Sequence, residues 1–400
     1  MPKRILLFEP SAGGHELYHV RLIAEAAQDA GLPVTFATTE KALAHPSAQP
    51  LLALLDKRGS EVLVTRPDMN SYTLARRIHP VVQQQFACCS ALRKTLRANG
   101  GRRAFGHVFV PFFDAYMTLI LGLRMQPCLG IPMSGILHRT RFHMPAMGIR
   151  TSMPFHVRIE KYVYASMLRR RDVRRLFTMD KSLSRYFNND RIVFLPDPAE
   201  YHPTATRDSM RTQLGIAPGT LCILVYGMLD SRKAIDTLLR GVQQMAQPGR
   251  LCLVIAGWQD EHVREILASP LAEDLRSAGI VREIPGFVEV EVVDNLFLAI
   301  DVCWICYRNS DANSGVMVKA GRAGRPVVTA RTGISAKIAA DDGLGWQADP
   351  NDPAVVAAVL QSILDDPAAR SKAADAIRRR FEENTTGNFV GPIIDYLRSV

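Results

Sequence analysis

Residues 221–245 read LCILVYGMLDSRKAIDTLLRGVQQM. The apolar run Leu221 to Tyr226 has the length and continuity of a strand buried on both faces of a parallel sheet, and Ala234 to Met245 repeats its apolar residues at helical spacing. Between them lies Gly227-Met228-Leu229-Asp230-Ser231-Arg232-Lys233, a glycine turn that runs into a cationic helix start and so suits an anion. Farther along the pattern recurs. Val302 to Tyr307 is a second apolar run, Asp311-Ala312-Asn313-Ser314-Gly315 leads into a helix, and Gly324-Arg325-Pro326 ends that helix before Val327 and Val328. Backbone N–H groups from Ser314 to Met317 would lie without intrahelical partners at the positive end of that helix, where a diphosphate can dock.

At these residues the chain resembles the retaining group 1 nucleotide-sugar glycosyltransferases of the GT-B fold. That family carries a Gly-Arg, four residues and a Lys-Gly after the first strand of its C-terminal domain, and later two glutamates separated by seven residues. Here the first pattern falls on Gly227, Met228, Lys233 and Ala234, and the second on Asp311 and Lys319. Gly286-Phe287-Val288 and Ala299-Ile300-Asp301-Val302 are similar to two further signatures of the family in order and spacing. Met228 and Lys319 are departures from the pattern.

The first half is compatible with the same architecture. Lys3 to Glu9 reads as a strand, Ser11-Ala12-Gly13-Gly14 as a turn, His15 to Ala30 as a helix and Pro33 to Thr38 as a second strand. Glu61 to Thr65, His107 to Val110, Met133 to Leu137, Leu176 to Met179 and Arg191 to Leu195 are further strand candidates. Such alternation implies a parallel sheet with both faces covered. Pro196-Asp197-Pro198 then marks an exit to a linker.

Four hundred residues with 47% hydrophobic and 22% charged content describe a globular chain with more than one core. No uninterrupted apolar run reaches the about 18 residues a membrane span needs, and the longest candidate, Val108 to Leu123, contains Asp114. The opening reads as a strand and a turn rather than a signal peptide, so a cytoplasmic chain is expected. Seven unevenly spaced cysteines fit reduced thiols.

The net charge of +10 is uneven, with 28 Lys and Arg against 15 Asp and Glu in residues 1–200 and 21 against 24 in the rest. Arg93, Lys94, Arg97, Arg102 and Arg103 form one cluster, and the segment from Arg158 to Arg175 forms another. In the latter, Ile159, Tyr162, Val163, Ser166 and Met167 recur at helical spacing, with Arg169, Arg170, Arg171, Arg174 and Arg175 at its end. Two readings fit: a basic amphipathic helix on anionic lipid at the inner face of the cell membrane, or a solvated helix whose cations complement its dipole. No nucleic-acid motif accompanies the charge, so nucleic acid is not expected as a partner.

Two motif matches are read as decoys. His15-Glu16-Leu17-Tyr18-His19 has zinc-protease spacing, but it directly follows a strand and a Gly-Gly turn and lacks a third ligand, so no metal is expected. His15 and Glu16 are instead placed on the acceptor side. Cys303-Trp304-Ile305-Cys306 lies inside an apparent strand and reads as buried structural cysteine.

Taken with the resemblance, the expected fold is α/β, GT-B, with two doubly wound Rossmann-like domains facing across a cleft. Residues 1–198 would bind the acceptor, 199–385 the nucleotide sugar, and 386–400 would form a helix crossing back to the first domain. The resemblance implies Lys233, His138 and Asp311 as catalytic residues. It implies donor contacts at Gly13, Gly14, Gly227, Arg232, Gly257, Phe287 and Val288, and at Ser314, Gly315, Val316, Met317 and Lys319. Arg232 is either a solvated residue or a substitute for the cation missing at Met228, and Lys319 is expected to turn toward the diphosphate. Transfer from a UDP-sugar, or a GDP-sugar, to a glycan or lipid-linked acceptor is implied, with retention and without metal or other cofactor, in bacterial-type polysaccharide or glycolipid synthesis. The alternatives are a non-catalytic GT-B-like scaffold and another sugar-nucleotide enzyme of the same fold.

Overall fold

A computed structural model of the chain describes residues 3–11, 14–67, 80–309 and 314–400. They divide into two compact units, Met1–Pro196 with Thr386–Val400, and Asp197–Thr385.

In the first unit the strands are β1 (Arg4–Phe8), β2 (Val34–Thr38), β3 (Glu61–Val64), β4 (Phe105–Val110), β5 (Met133–Leu137), β6 (Val173–Thr178) and β7 (Ile192–Phe194). They form one parallel sheet in the order β3-β2-β1-β4-β5-β6-β7. The chain therefore starts in the middle, builds to one edge and crosses back, which leaves a switch point between β1 and β4 where ligands bind in open α/β sheets. β1 sits centrally because Ile5 to Phe8 is apolar on both faces and all four residues are buried. One core gathers Leu7, Ile23, Phe36, Phe109 and Phe177 with Phe389 and Ile393 of the helix Thr386–Arg398, which belongs to this unit. Each such side chain contributes about 1.5–3 kcal/mol on burial.

The second unit repeats the plan with β8 (Leu221–Tyr226), β9 (Leu251–Gly257), β10 (Val281–Pro285), β11 (Val302–Ile305), β12 (Val327–Thr329) and β13 (Gly345–Gln347). Their parallel order is β10-β9-β8-β11-β12-β13. Its switch point lies between β8 and β11, so the glycine turn after the first and the helix after the second, Gly315–Arg322, end up side by side. That helix is held by close packing. A Cβ at Gly321 would lie 2.2 Å from the Phe381 ring of the helix Pro367–Phe381, so only glycine fits there.

The basic segment from Arg158 to Arg175 is not one helix. The helix Phe155–Leu168 stops before the arginines, and β6 begins at Val173. Arg191 explains the stop, because its guanidinium donates to the carbonyls of Leu168, Arg170 and Arg174 and closes the helix end. Arg170 folds back on the Asp172 carboxylate through Nε at 2.8 Å and Nη2 at 2.6 Å. Val173, Leu176 and Phe177 are buried, and that burial makes a strand of an arginine-rich stretch. The last helix spans Thr386–Arg398. Among the described residues no helix is long and apolar enough to cross a membrane.

Candidate functional site

Three successive turns at the carboxyl ends of β8, β9 and β10 are tied by backbone. Gly227 donates to the Ala256 carbonyl at 3.0 Å, Leu229 to that of Trp258 at 2.7 Å, and Gly286 to that of Gly257 at 3.0 Å. Gly257 has φ +139°, and a Cβ there would lie 1.8 Å from the Gly227 oxygen, so this crossing admits no side chain. Met228, Trp258 and Phe287 leave these turns with 62%, 56% and 80% of their surface exposed, whereas Val288 packs into the core. The apolar rim so formed is suited to stacking against a flat ring.

Behind Gly227 the chain makes a tight turn, Ser231–Lys233, closed by the Asp230 carboxylate accepting from the Arg232 N–H. Trp304 on β11 donates its indole N–H to the Lys233 carbonyl at 2.8 Å. The Lys233 side chain points inward and is only 5% exposed. Its Nζ donates to the Tyr226 carbonyl at 2.8 Å and to the Tyr307 hydroxyl at 2.7 Å, and lies 4.2 Å from the centre of the Tyr307 ring. Burial lowers its pKa to about 8.

A Cβ at Gly227 would lie 3.8 Å from Lys233 Nζ and 4.0 Å from Val316 Cγ2. The glycine turn, the ammonium and the first turn of the helix Gly315–Arg322 therefore converge. Ser314 caps that helix by accepting from the Met317 N–H at 3.3 Å, which leaves the N–H groups of Gly315 and Val316 at its positive end. A buried cation beside open helix N–H groups is an arrangement for an anion with several oxygens.

Other expected donor contacts lie differently. Arg232 is half exposed and chelates Asp230 Oδ2 through Nε at 3.0 Å and Nη2 at 2.8 Å. The Lys319 ammonium engages the Asp294 carboxylate and the Glu200 carbonyl, and is not turned toward the Gly227 turn as expected. Asp294 also accepts from the His202 N–H at 2.7 Å, so the pair fixes the segment that enters the second unit. Asp311 and Gly13 lie outside the described residues. Tyr307 was missed from the sequence because it closed an apolar run, although a hydroxyl at the carboxyl end of a strand beside the switch point is a signal of its own.

In the first unit, His138 directly follows β5. Its ring stacks on Phe112 with centroids 3.8 Å apart and planes 3° apart, and its Nε2 donates to the Pro111 carbonyl at 3.0 Å. Its backbone N–H donates to Asp114 Oδ2 at 3.0 Å. Burial raises the Asp114 pKa, against hydrogen bonds from Arg139 and His138 that lower it. Glu9, at the end of β1, accepts from the Ser11 N–H at 3.0 Å and the Tyr116 hydroxyl at 2.8 Å, and burial pushes its pKa up to about 8. Gly14 and His15 begin the helix Gly14–Asp29, with Glu16, half-buried, in its first turn. His19 packs among Phe112, His138 and Phe389. Among the described residues no three His, Cys, Asp or Glu side chains are grouped to hold a metal. Cys303 and Cys306 are buried free thiols, each pushed up to about 12 by burial.

Residues 206–380 match the family model for glycosyl transferases group 1. The D-inositol 3-phosphate glycosyltransferase of Thermobifida fusca is 28% identical over 183 residues, which is 44% of this chain and 42% of that protein. The protein of the same name from Streptomyces avermitilis is 29% identical over 192 residues, 46% of this chain and 40% of its own. The match thus spans less than half the length of these curated relatives. Among solved structures, HepE of Anabaena in complex with UDP is similar at TM-score 0.68 and 13% identity, over 99% of this chain and 100% of that one. WaaG, a glycosyltransferase involved in lipopolysaccharide biosynthesis, is similar at 0.62 and 16%, over 98% and 99%. These likenesses give the fold: two Rossmann-like domains of the GT-B class.

Proposed function

We propose that this chain is a glycosyltransferase that moves a sugar from a nucleoside diphosphate to an acceptor hydroxyl. The convergence of Gly227, the Lys233 ammonium and the start of the helix Gly315–Arg322 carries this reading. Cleaving the bond between the anomeric carbon and a nucleoside diphosphate leaves negative charge on the β-phosphate. A fixed cation and helix N–H groups stabilise that charge without reorganising. The second unit is the donor-binding domain, and the rim of Trp258 and Phe287 lies where a base can stack. UDP-sugars are the favoured donors, since HepE is described in complex with UDP and with UDP-glucose.

The first unit is the acceptor domain, with His138, Glu16 and His15 at or beside the carboxyl ends of its strands. Resemblance to the family supports retention of configuration, with the leaving phosphate taking the acceptor's proton and no metal needed. Purified protein incubated with labelled UDP-glucose, UDP-galactose, UDP-N-acetylglucosamine or GDP-mannose is expected to release the nucleoside diphosphate from one of them, faster when glycan or lipid-linked acceptors are added. Release from none of them, with or without acceptor, argues for a binding protein of the same fold.

A lipid-linked acceptor would place the enzyme at an anionic membrane surface. On the helix Phe155–Leu168, Phe155, Arg158, Ile159 and Tyr162 share one face at helical spacing. All four are exposed, Phe155 by 75% and Tyr162 by 66%. Binding to phosphatidylglycerol vesicles is expected to fall with salt and to drop at least fivefold in a Phe155→Ser, Tyr162→Ser variant. Arg169 and Arg171 are the exposed cations to reverse, because Arg170 is tied to Asp172. Equal binding to neutral vesicles, or none to anionic ones, favours a soluble acceptor.

A further inference from the structure

Tyr307 stands where β11 ends and is 9% exposed. Its hydroxyl accepts from Lys233 Nζ at 2.7 Å and shares a hydrogen bond with the Ser314 side chain. Ser314 Oγ is in turn the acceptor for the Met317 N–H that opens the helix Gly315–Arg322. One phenol thus touches both parts of the anion site, the cation from the β8 turn and the cap of the helix after β11. Its backbone is anchored as well. The Arg308 N–H donates to the Arg232 carbonyl at 2.8 Å, and the Arg308 guanidinium binds Ser231, Asp236 and Thr237.

An ammonium has three N–H donors. Two of those on Lys233 go to the Tyr226 carbonyl and the Tyr307 hydroxyl, which sets its direction and leaves one for a ligand oxygen. Alone, a lysine stem would lose much of its rotamer freedom on meeting a ligand, and a pre-aimed ammonium has already lost it.

We propose that Tyr307 is a positioning residue of the diphosphate site, whose hydroxyl aims the Lys233 ammonium and joins it to the Ser314 cap of the phosphate-facing helix. The proposal rests on the reading of this site given above. It predicts that diphosphate binding at the ammonium and at the helix start is coupled through a single hydroxyl.

The test is Tyr307→Phe, which keeps the ring and removes the hydroxyl. The groups facing Lys233 are Cys303 on β11, Asp230 and Arg232 on the turn, and Tyr307, and only the last changes. The Lys233 side chain is titrated by NMR on 13C-lysine protein without nucleotide, its signal assigned by its absence in Lys233→Met. UDP affinity is measured by calorimetry from pH 6.5 to 9.5. The hydroxyl stabilises the charged form, so its loss lowers the Lys233 pKa by about 1 from the wild-type value near 8. Affinity for UDP falls about tenfold at pH 7.5, and its alkaline decline moves to lower pH by the same amount. A Lys233 titration and a binding midpoint identical to wild type overturn the proposal, whatever happens to affinity. A lowered Lys233 pKa in a protein that binds no nucleotide at any pH upholds the hold of Tyr307 on Lys233 and defeats the transferase reading instead.

Discussion

Replacing Lys233 by Met is expected to lower turnover of the sugar nucleotide at saturating donor by at least tenfold, and by up to about a thousandfold if the ammonium acts as one full donor to the leaving phosphate. Met keeps the length and the apolar body of the stem, and both matter because the side chain is 95% buried between Tyr226 and Tyr307. Ala is a poorer probe. Like Met it strips the Tyr226 carbonyl and Tyr307 hydroxyl of their shared donor, at about 1–3 kcal/mol, but it also leaves a void that Met fills. Only a substitution that spares the fold separates the two effects. Unchanged turnover in Lys233→Met, with a melting temperature near wild type, would remove this residue from the chemistry.

Lys319→Glu is expected to destabilise the second unit by about 3–5 kcal/mol, the cost of breaking a buried ion pair, and to leave UDP affinity within twofold of wild type where the protein stays folded. The side chains of Lys319 and Asp294 are 16% and 5% exposed. A glutamate there would face Asp294 as a like charge with little water to screen it. Reversing both charges with Asp294→Lys should recover part of the loss, though not the bond Asp294 accepts from the His202 N–H. Thermal or urea unfolding reads both variants. A Lys319→Glu protein of native stability that binds its donor more tightly would mean that this position serves the nucleotide after all.

The central strands were legible because parallel strands covered on both faces must be continuous apolar runs, and Leu221 to Tyr226 is one. The helix start at Ser314 and Gly315 was legible because a polar turn leads there into an apolar-periodic segment, while the Ser314 cap itself emerged only from the structure. The resemblance anticipated the two-domain GT-B class for the same reason: its signatures sit on turns and helix starts, where local chemistry is restrictive. What stayed hidden depends on contacts between distant segments. Nothing near Lys233 indicates that its ammonium meets a tyrosine just past the end of β11, and nothing near Lys319 points to Asp294 on another helix. The stretch from Arg158 to Arg175 misled for a related reason. Arginines at a helix end and arginines on a strand look alike in sequence until Arg191 is seen closing the carbonyls of Leu168 and Arg170.

Hydrogen exchange with and without saturating UDP shows whether a nucleoside diphosphate sits between the turn at Gly227 and the start of the helix Gly315–Arg322. Slower exchange is expected in peptides spanning 226–234 and 314–320, lost in Lys233→Met, with a smaller effect around Trp258 and Phe287. Protection confined to the first unit, or none in either segment at a nucleotide concentration that calorimetry shows to be saturating, would contradict that placement.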